Sequence, residues 1–139
     1  MFEIEICEPR RVLLIRFGQE VEERDFPELD AITEELRKRG LYDSIVDMTR
    51  VDLDRFRTPD SAPGFVASRG AVREPFAGKE RIYVAPHDDL KLLVRLFAGY
   101  QESHGLRRPS LVDTLDEAFQ QLNVTAADFR PFQRPEPHG

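Results

Sequence analysis

His87, Asp88 and Asp89 stand side by side, just after the run RIYVAP at 81–86. An imidazole next to carboxylates is suited to proton transfer, because histidine exchanges its proton near neutral pH. The end of a parallel strand is also where ligands of open α/β sheets usually sit. The same trio has a simpler use. Aspartate in the first turn of a helix complements the helix dipole. A metal site normally needs three or more converging ligands, and the sequence offers no obvious third. No metal, cofactor or catalytic residue is therefore assigned.

A second candidate lies upstream. Residues 55–81 hold six bases against three acids. Thr58 and Ser61 are suited to a phosphate at a helix N-terminus, and Arg55, Arg57 and Arg69 to pairing with it. This segment suits a phosphorylated ligand, an acidic lipid head or an acidic protein. The alternatives are an ordinary solvated face and a helix that simply starts at Thr58, before Pro59. Aromatic residues are not interleaved there at regular spacing, so nucleic acid is not the expected partner. Cys7, the sole cysteine, has no Cys-x-x-Cys partner and reads as a small buried hydrophobe. The chain contains no P-loop, G-x-G-x-x-G, H-E-x-x-H or G-x-S-x-G motif.

Elements must position these groups. Residues 2–7 (FEIEIC) alternate apolar and acidic, and 12–17 (VLLIRF) form a short apolar run, which together predict an antiparallel hairpin. Residues 19–24 read as a loop. Asp25 and Glu28 match a capping box, and Phe26, Leu29, Ile32 and Leu36 follow at helical spacing, so a helix is predicted over about 26–39. Gly40 supplies its stop. Strands are predicted at 42–48, 81–85 and 109–112, with helices at 65–73 and 88–104. A last helix runs from a Thr114/Glu117 capping box to Asn123. The order β-β-α-β-α-β-α-β-α implies a single α/β domain over 1–124. Its core is an open, mostly parallel sheet of about five strands with one antiparallel edge and helices packed on it. Residues 125–139 are expected to form a Pro-rich, mobile extension.

This order resembles the STAS domain, the anti-sigma-factor antagonist fold, and in particular its SpoIIAA-like bacterial branch. Three stretches carry the resemblance. The segment Ile45-Val46-Asp47-Met48-Thr49-Arg50-Val51 is similar to the family's V-x-D-L-S/T-G-V strand end. The run RIYVAP at 81–86 is similar to the fourth strand and the turn after it. Val94-Arg95-Leu96-Phe97 and Leu115-Asp116-Glu117-Ala118-Phe119 resemble the branch's G-x-x-R-x-F helix and its closing D-L-D-E-A helix. The resemblance covers about residues 2–122 and implies a regulatory module. One departure stands out. The family's Ser or Thr phospho-acceptor falls, by count from Asp47, on Arg55, Phe56 and Arg57, none of which carries a hydroxyl. Thr58 and Ser61 are near but out of register.

The 139 residues carry 20 Lys and Arg against 26 Asp and Glu, a net charge of −6. That balance argues against a general nucleic-acid or anionic-membrane binder. Residues 1–54 hold 15 acids and 8 bases, whereas 55–139 hold 11 acids and 12 bases. One cysteine excludes an internal disulfide framework and a Cys-cluster zinc site. No apolar run approaches the ~20 residues of a membrane span, MFEIEICEPRR does not read as a signal peptide, and a cytoplasmic setting is expected.

These observations lead to two readings. The first is a non-catalytic STAS-like regulatory or binding module that works through a protein partner or small ligand. The second is a small enzyme or anionic-ligand-binding protein that uses His87, Asp88 and Asp89 with the Arg-rich segment. The predicted helix at 88–104 adds a third expectation. Leu90, Leu93, Val94 and Phe97 form one apolar stripe, and Leu92, Leu96 and Tyr100 form another. The second stripe predicts a symmetric homodimer through Leu92, Leu96 and Tyr100. The alternative is cover within the monomer by the helix at 65–73 and the last helix.

Overall fold

The computed structural model describes residues 1–57, 76 and 78–132. Strands β1 (Phe2–Cys7) and β2 (Val12–Phe17) pair antiparallel, from Phe2 opposite Phe17 to Cys7 opposite Val12. Their turn closes with the Arg11 N–H donating to the Glu8 carbonyl at 3.2 Å, and Arg11 takes a φ of 54°. After β2 come the two-residue strand β3 (Val21–Glu22), helix α1 (Asp25–Arg37) and strand β4 (Asp43–Asp47). A 3-10 turn at Leu53–Arg55 leads into β5 (Phe56–Arg57). The chain continues through β6 (Arg81–Val84), α2 (Asp88–Ser103), β7 (Ser110–Val112), α3 (Leu115–Leu122) and β8 (Arg130–Pro131).

The fold is mixed α/β. One open sheet has six strands in the order β7-β6-β4-β2-β1-β8, and β3 pairs with β5 in a separate two-stranded sheet. The β2–β4, β4–β6 and β6–β7 pairs are parallel, while β1 pairs antiparallel with both neighbours. Parallel neighbours need crossovers, which is why strands and helices alternate.

Strand alternation splits the apolar side chains into two cores. Ile4, Ile6, Leu13 and Ile15 point to one face, where Leu29, Ile32 and Leu36 of α1 and Leu90 and Val94 of α2 cover them. Cys7, Val12, Leu14, Ile45 and Ile82 point to the other, under Ala118 and Phe119 of α3. A fully buried Leu or Ile contributes about 1.5–3 kcal/mol, so both layers matter to stability. Cys7, at 2% exposure, is the small buried hydrophobe expected of it.

The sequence expectations need four changes. The sheet has six strands, not about five. The sixth is β8, so the stretch after 125 is not a loose extension from its start: a 3-10 turn at Ala126–Asp128 leads into Arg130–Pro131, which pairs with β1. Phe129 is buried in the α3-side core and stacks on Phe119 with centroids 5.5 Å apart. Phe132 packs on the opposite core, and its N–H donates to the Ile4 carbonyl at 2.9 Å. Two phenyl groups gripping opposite faces hold the segment against β1.

The second change concerns α1. Asp25 is its first residue, and no side chain caps its start. The buried Asp25 carboxylate instead accepts from the Glu22 N–H at 2.9 Å and from the Met1 ammonium at 2.7 Å. A charged donor draws the carboxylate more strongly than the neutral backbone N–H of a capping box. Third, β3 lies in the stretch expected to be a loop. Fourth, the last helix does not cover Leu92 or Leu96, because α3 and α2 lie on opposite faces of the sheet. The helix predicted at 65–73 lies outside the described residues.

Other expectations hold. The Thr114 hydroxyl accepts from the Glu117 N–H at 3.2 Å, and Asn123 ends α3 in the left-handed conformation. Gly105 follows α2 with a φ of 77°.

Candidate functional site

The parallel strands β2, β4, β6 and β7 bring their C-terminal ends to one edge of the sheet. His87, Asp88 and Asp89 sit there, between β6 and α2. All three are exposed. His87 is the residue before α2, in an extended conformation, and its side chain does not cap the helix. Its carbonyl accepts from the Lys91 N–H at 2.9 Å. The Asp89 carboxylate accepts from the Leu90 N–H at 2.8 Å. Asp88 and Asp89 both lie in the first turn, where their charge complements the exposed N–H groups. The trio therefore begins a helix. Its side chains are not joined to one another by any hydrogen bond among the described residues.

Sequence reasoning missed the polar link beside the trio. Lys91 reaches back from α2, and its ammonium donates to the Ala85 carbonyl at 2.6 Å and pairs with the Asp113 carboxylate. Ala85 follows β6 and Asp113 follows β7, so this one cation fastens two strand ends to the helix. The signal in the sequence is the position of Lys91, one turn beyond His87.

A second missed group lies on the α3 face of the sheet. The Arg16 Nε stands 3.4 Å from a Glu5 carboxylate oxygen and 3.7 Å from one of Asp47. Arg16 is directly opposite Asp47 across the β2–β4 pair. The buried Asp47 carboxylate also accepts from the Thr49 N–H at 3.0 Å, fixing the turn after β4. With two carboxylates around one guanidinium, the group carries no positive excess for an anion. Its place inside the run VLLIRF masked it, because the run was read for its apolar residues alone.

Among the other candidates, Arg55 is exposed and donates to the Gln19 side-chain oxygen at 2.9 Å. Arg57 falls in β5 by its backbone. Thr58, Ser61 and Arg69 lie outside the described residues. Arg55 is not joined to His87 or Asp88 by a hydrogen bond or ion pair within the described residues. On α2, Leu92, Leu96 and Tyr100 remain exposed at 68%, 37% and 36%.

Among the described residues, no group of three or more His, Cys, Asp or Glu side chains is placed to hold a metal ion, and no helix is long and apolar enough to cross a membrane. No family model matches the chain, and neither a curated protein nor a solved structure matches it.

Proposed function

We propose that this chain is a non-catalytic, STAS-like regulatory or binding module that acts through a protein partner or a small ligand. The observation that carries the reading is how the strand-end trio is used. The His87 carbonyl and the Asp89 carboxylate accept backbone N–H groups at the start of α2, Asp88 lies in its first turn, and Lys91 in the next turn is engaged by Ala85 and Asp113. Proton-transfer chemistry needs side chains that converge on a reacting atom. An antiparallel β1–β2 hairpin followed by the parallel strands β4, β6 and β7 is in keeping with the element order from which the resemblance was read, although β8 adds an outer strand beside β1.

The family's phospho-acceptor position adds detail. Residues 55–57 span the end of a 3-10 turn and β5, and none bears a hydroxyl. Partner binding then proceeds without a phosphate switch at that position.

Metabolite turnover tests the reading. Purified protein and its His87→Ala and Asp88→Asn variants are incubated separately with a metabolite extract of the source cells, followed by untargeted mass spectrometry. The expected outcome is the same metabolite profile for all three. A metabolite consumed by the unaltered protein and spared by both variants would establish the enzyme reading instead.

A further inference from the structure

Five bases gather around the β1–β2 turn. Arg10 and Arg11 lie in the turn, Lys38 and Arg39 follow α1, and Arg130 begins β8. All five are exposed. Three contacts bring these elements together. The Arg11 guanidinium donates to the Arg39 carbonyl at 3.0 Å, the Arg39 guanidinium lies over the Phe132 ring at 5.6 Å, and β8 sets Arg130 opposite Ile6, close to the turn.

Bases at the end of a helix commonly serve its last carbonyls. Here Arg11 takes the Arg39 carbonyl from outside the helix, and Arg37 is paired with Glu34. Among the described residues, none of the five bases forms an ion pair with a carboxylate. The acids beside the turn are engaged otherwise: Glu8 accepts from the Tyr42 hydroxyl at 3.3 Å, and Asp43 from the Glu80 N–H at 2.8 Å. A chain with 26 acids and 20 bases thus leaves one concentrated positive patch without a counter-charge.

The two central guanidiniums are held in place. Arg11 takes a φ of 54° and lies over the Tyr42 ring at 5.4 Å. Gly40, with a φ of 142°, passes so close that a Cβ there would stand 2.7 Å from the Arg11 Nη1. A guanidinium lying over a ring keeps edge N–H groups for a carboxylate, which its planar fork matches. Preorganised side chains lose less freedom when a partner binds.

Charge and shape select the partner. Tyr42 is buried and the Phe132 ring lies under Arg39, so neither offers a free face for stacking a nucleic-acid base. An anionic membrane is a broad surface and would meet the acidic remainder of the chain as well. A single acidic segment meets the patch alone. Leu41, 47% exposed beside Arg39 and Gly40, offers such a segment an apolar contact. Residues 133–139 carry one acid, Glu136, and one base, Arg134, so the chain's own end does not supply the charge.

We infer that the patch of Arg10, Arg11, Lys38, Arg39 and Arg130 binds an acidic segment of a partner protein, with Leu41 contacting an apolar residue among its carboxylates. This inference depends neither on the STAS reading nor on the use of His87, Asp88 and Asp89.

Fluorescence anisotropy with a labelled peptide of glutamates around a central leucine tests it. Saturable binding is expected with a Kd below about 200 micromolar at low salt, weakening about fivefold or more as salt is raised to about 300 mM. The glutamine counterpart of the peptide should not bind. Arg10→Glu with Lys38→Glu should weaken binding about tenfold or more with circular dichroism unchanged. Arg50→Glu with Arg95→Glu changes the net charge equally away from the turn and should weaken it less than about twofold. Arg39→Gln with Arg130→Gln should repeat the loss, and decides the matter if the first pair does not fold. Absence of saturable binding, or equal losses from the patch and the distant pair, would overturn the proposal. So would an RNA oligonucleotide or phosphatidylserine vesicles binding more tightly than the peptide through the same bases.

Discussion

Lys91 and Asp113 form an ion pair that ties α2 to the end of β7, and the same ammonium holds the Ala85 carbonyl at the end of β6. The Lys91 side chain is 16% exposed and that of Asp113 is 65% exposed. Loss of the lysine leaves a largely enclosed carbonyl without its donor, whereas loss of the carboxylate removes only a solvent-screened partner. Lys91→Met is therefore expected to cost about 1–2 kcal/mol in urea unfolding, and Asp113→Asn less than about 1 kcal/mol. Equal costs would show that the ion pair, not the carbonyl contact, carries the link.

The C-terminal segment is expected to contribute to stability. Phe129 is 7% exposed and stacked on Phe119. Phe129→Ala should lower stability by about 3 kcal/mol or more, through lost burial and the cavity left behind. Ending the chain at Val124 should do at least as much and expose the β1 edge to self-association. A shortened chain with an unchanged unfolding midpoint would contradict the role given to β8.

Tyr42 gives the protein an alkaline limit. Burial raises the phenol pKa above its ordinary value, and the nearby Glu8 carboxylate, which accepts from the hydroxyl at 3.3 Å, raises it further. The folded state thus favours the protonated phenol. Its stabilisation is complete below the ordinary tyrosine range and is lost as pH rises through the raised folded value. Unfolding curves from pH 8 upward should fall more steeply for the unaltered protein than for Tyr42→Phe. Parallel curves would show that Tyr42 is not the group that titrates.

Phosphorylation should leave residues 55–57 untouched, because none can accept it. If a site is modified in native cells, it should be Thr58 or Ser61. Intact-mass analysis with and without phosphatase reads this directly. A fully occupied phosphosite elsewhere in the chain would contradict the count from Asp47.

Local patterns revealed most of the sheet. FEIEIC and VLLIRF matched β1 and β2 residue for residue, because alternation and run length identify strands without knowledge of their neighbours. Thr114 and Asn123 marked the ends of α3 for the same local reason. Features that depend on distant partners were not legible. Asp25 looked like a cap until Met1 stood beside it, and Arg130–Pro131 looked like tail until Phe129 and Phe132 were seen on opposite cores. His87, Asp88 and Asp89 were visible as a cluster, but their role at the start of α2 and the neighbouring Lys91 bridge emerged only from the fold.

Native mass spectrometry of the protein isolated from its own cells tests the binding-module account most directly. The unaltered chain and its His87→Ala and Asp88→Asn variants are compared for what they retain. The account predicts that a protein partner or small ligand remains bound, and that both variants keep it, because His87 serves α2 through its carbonyl and the His87 and Asp88 side chains are not joined in a common site. A small molecule held by the unaltered chain and absent from both variants would contradict it and make the strand end the ligand site.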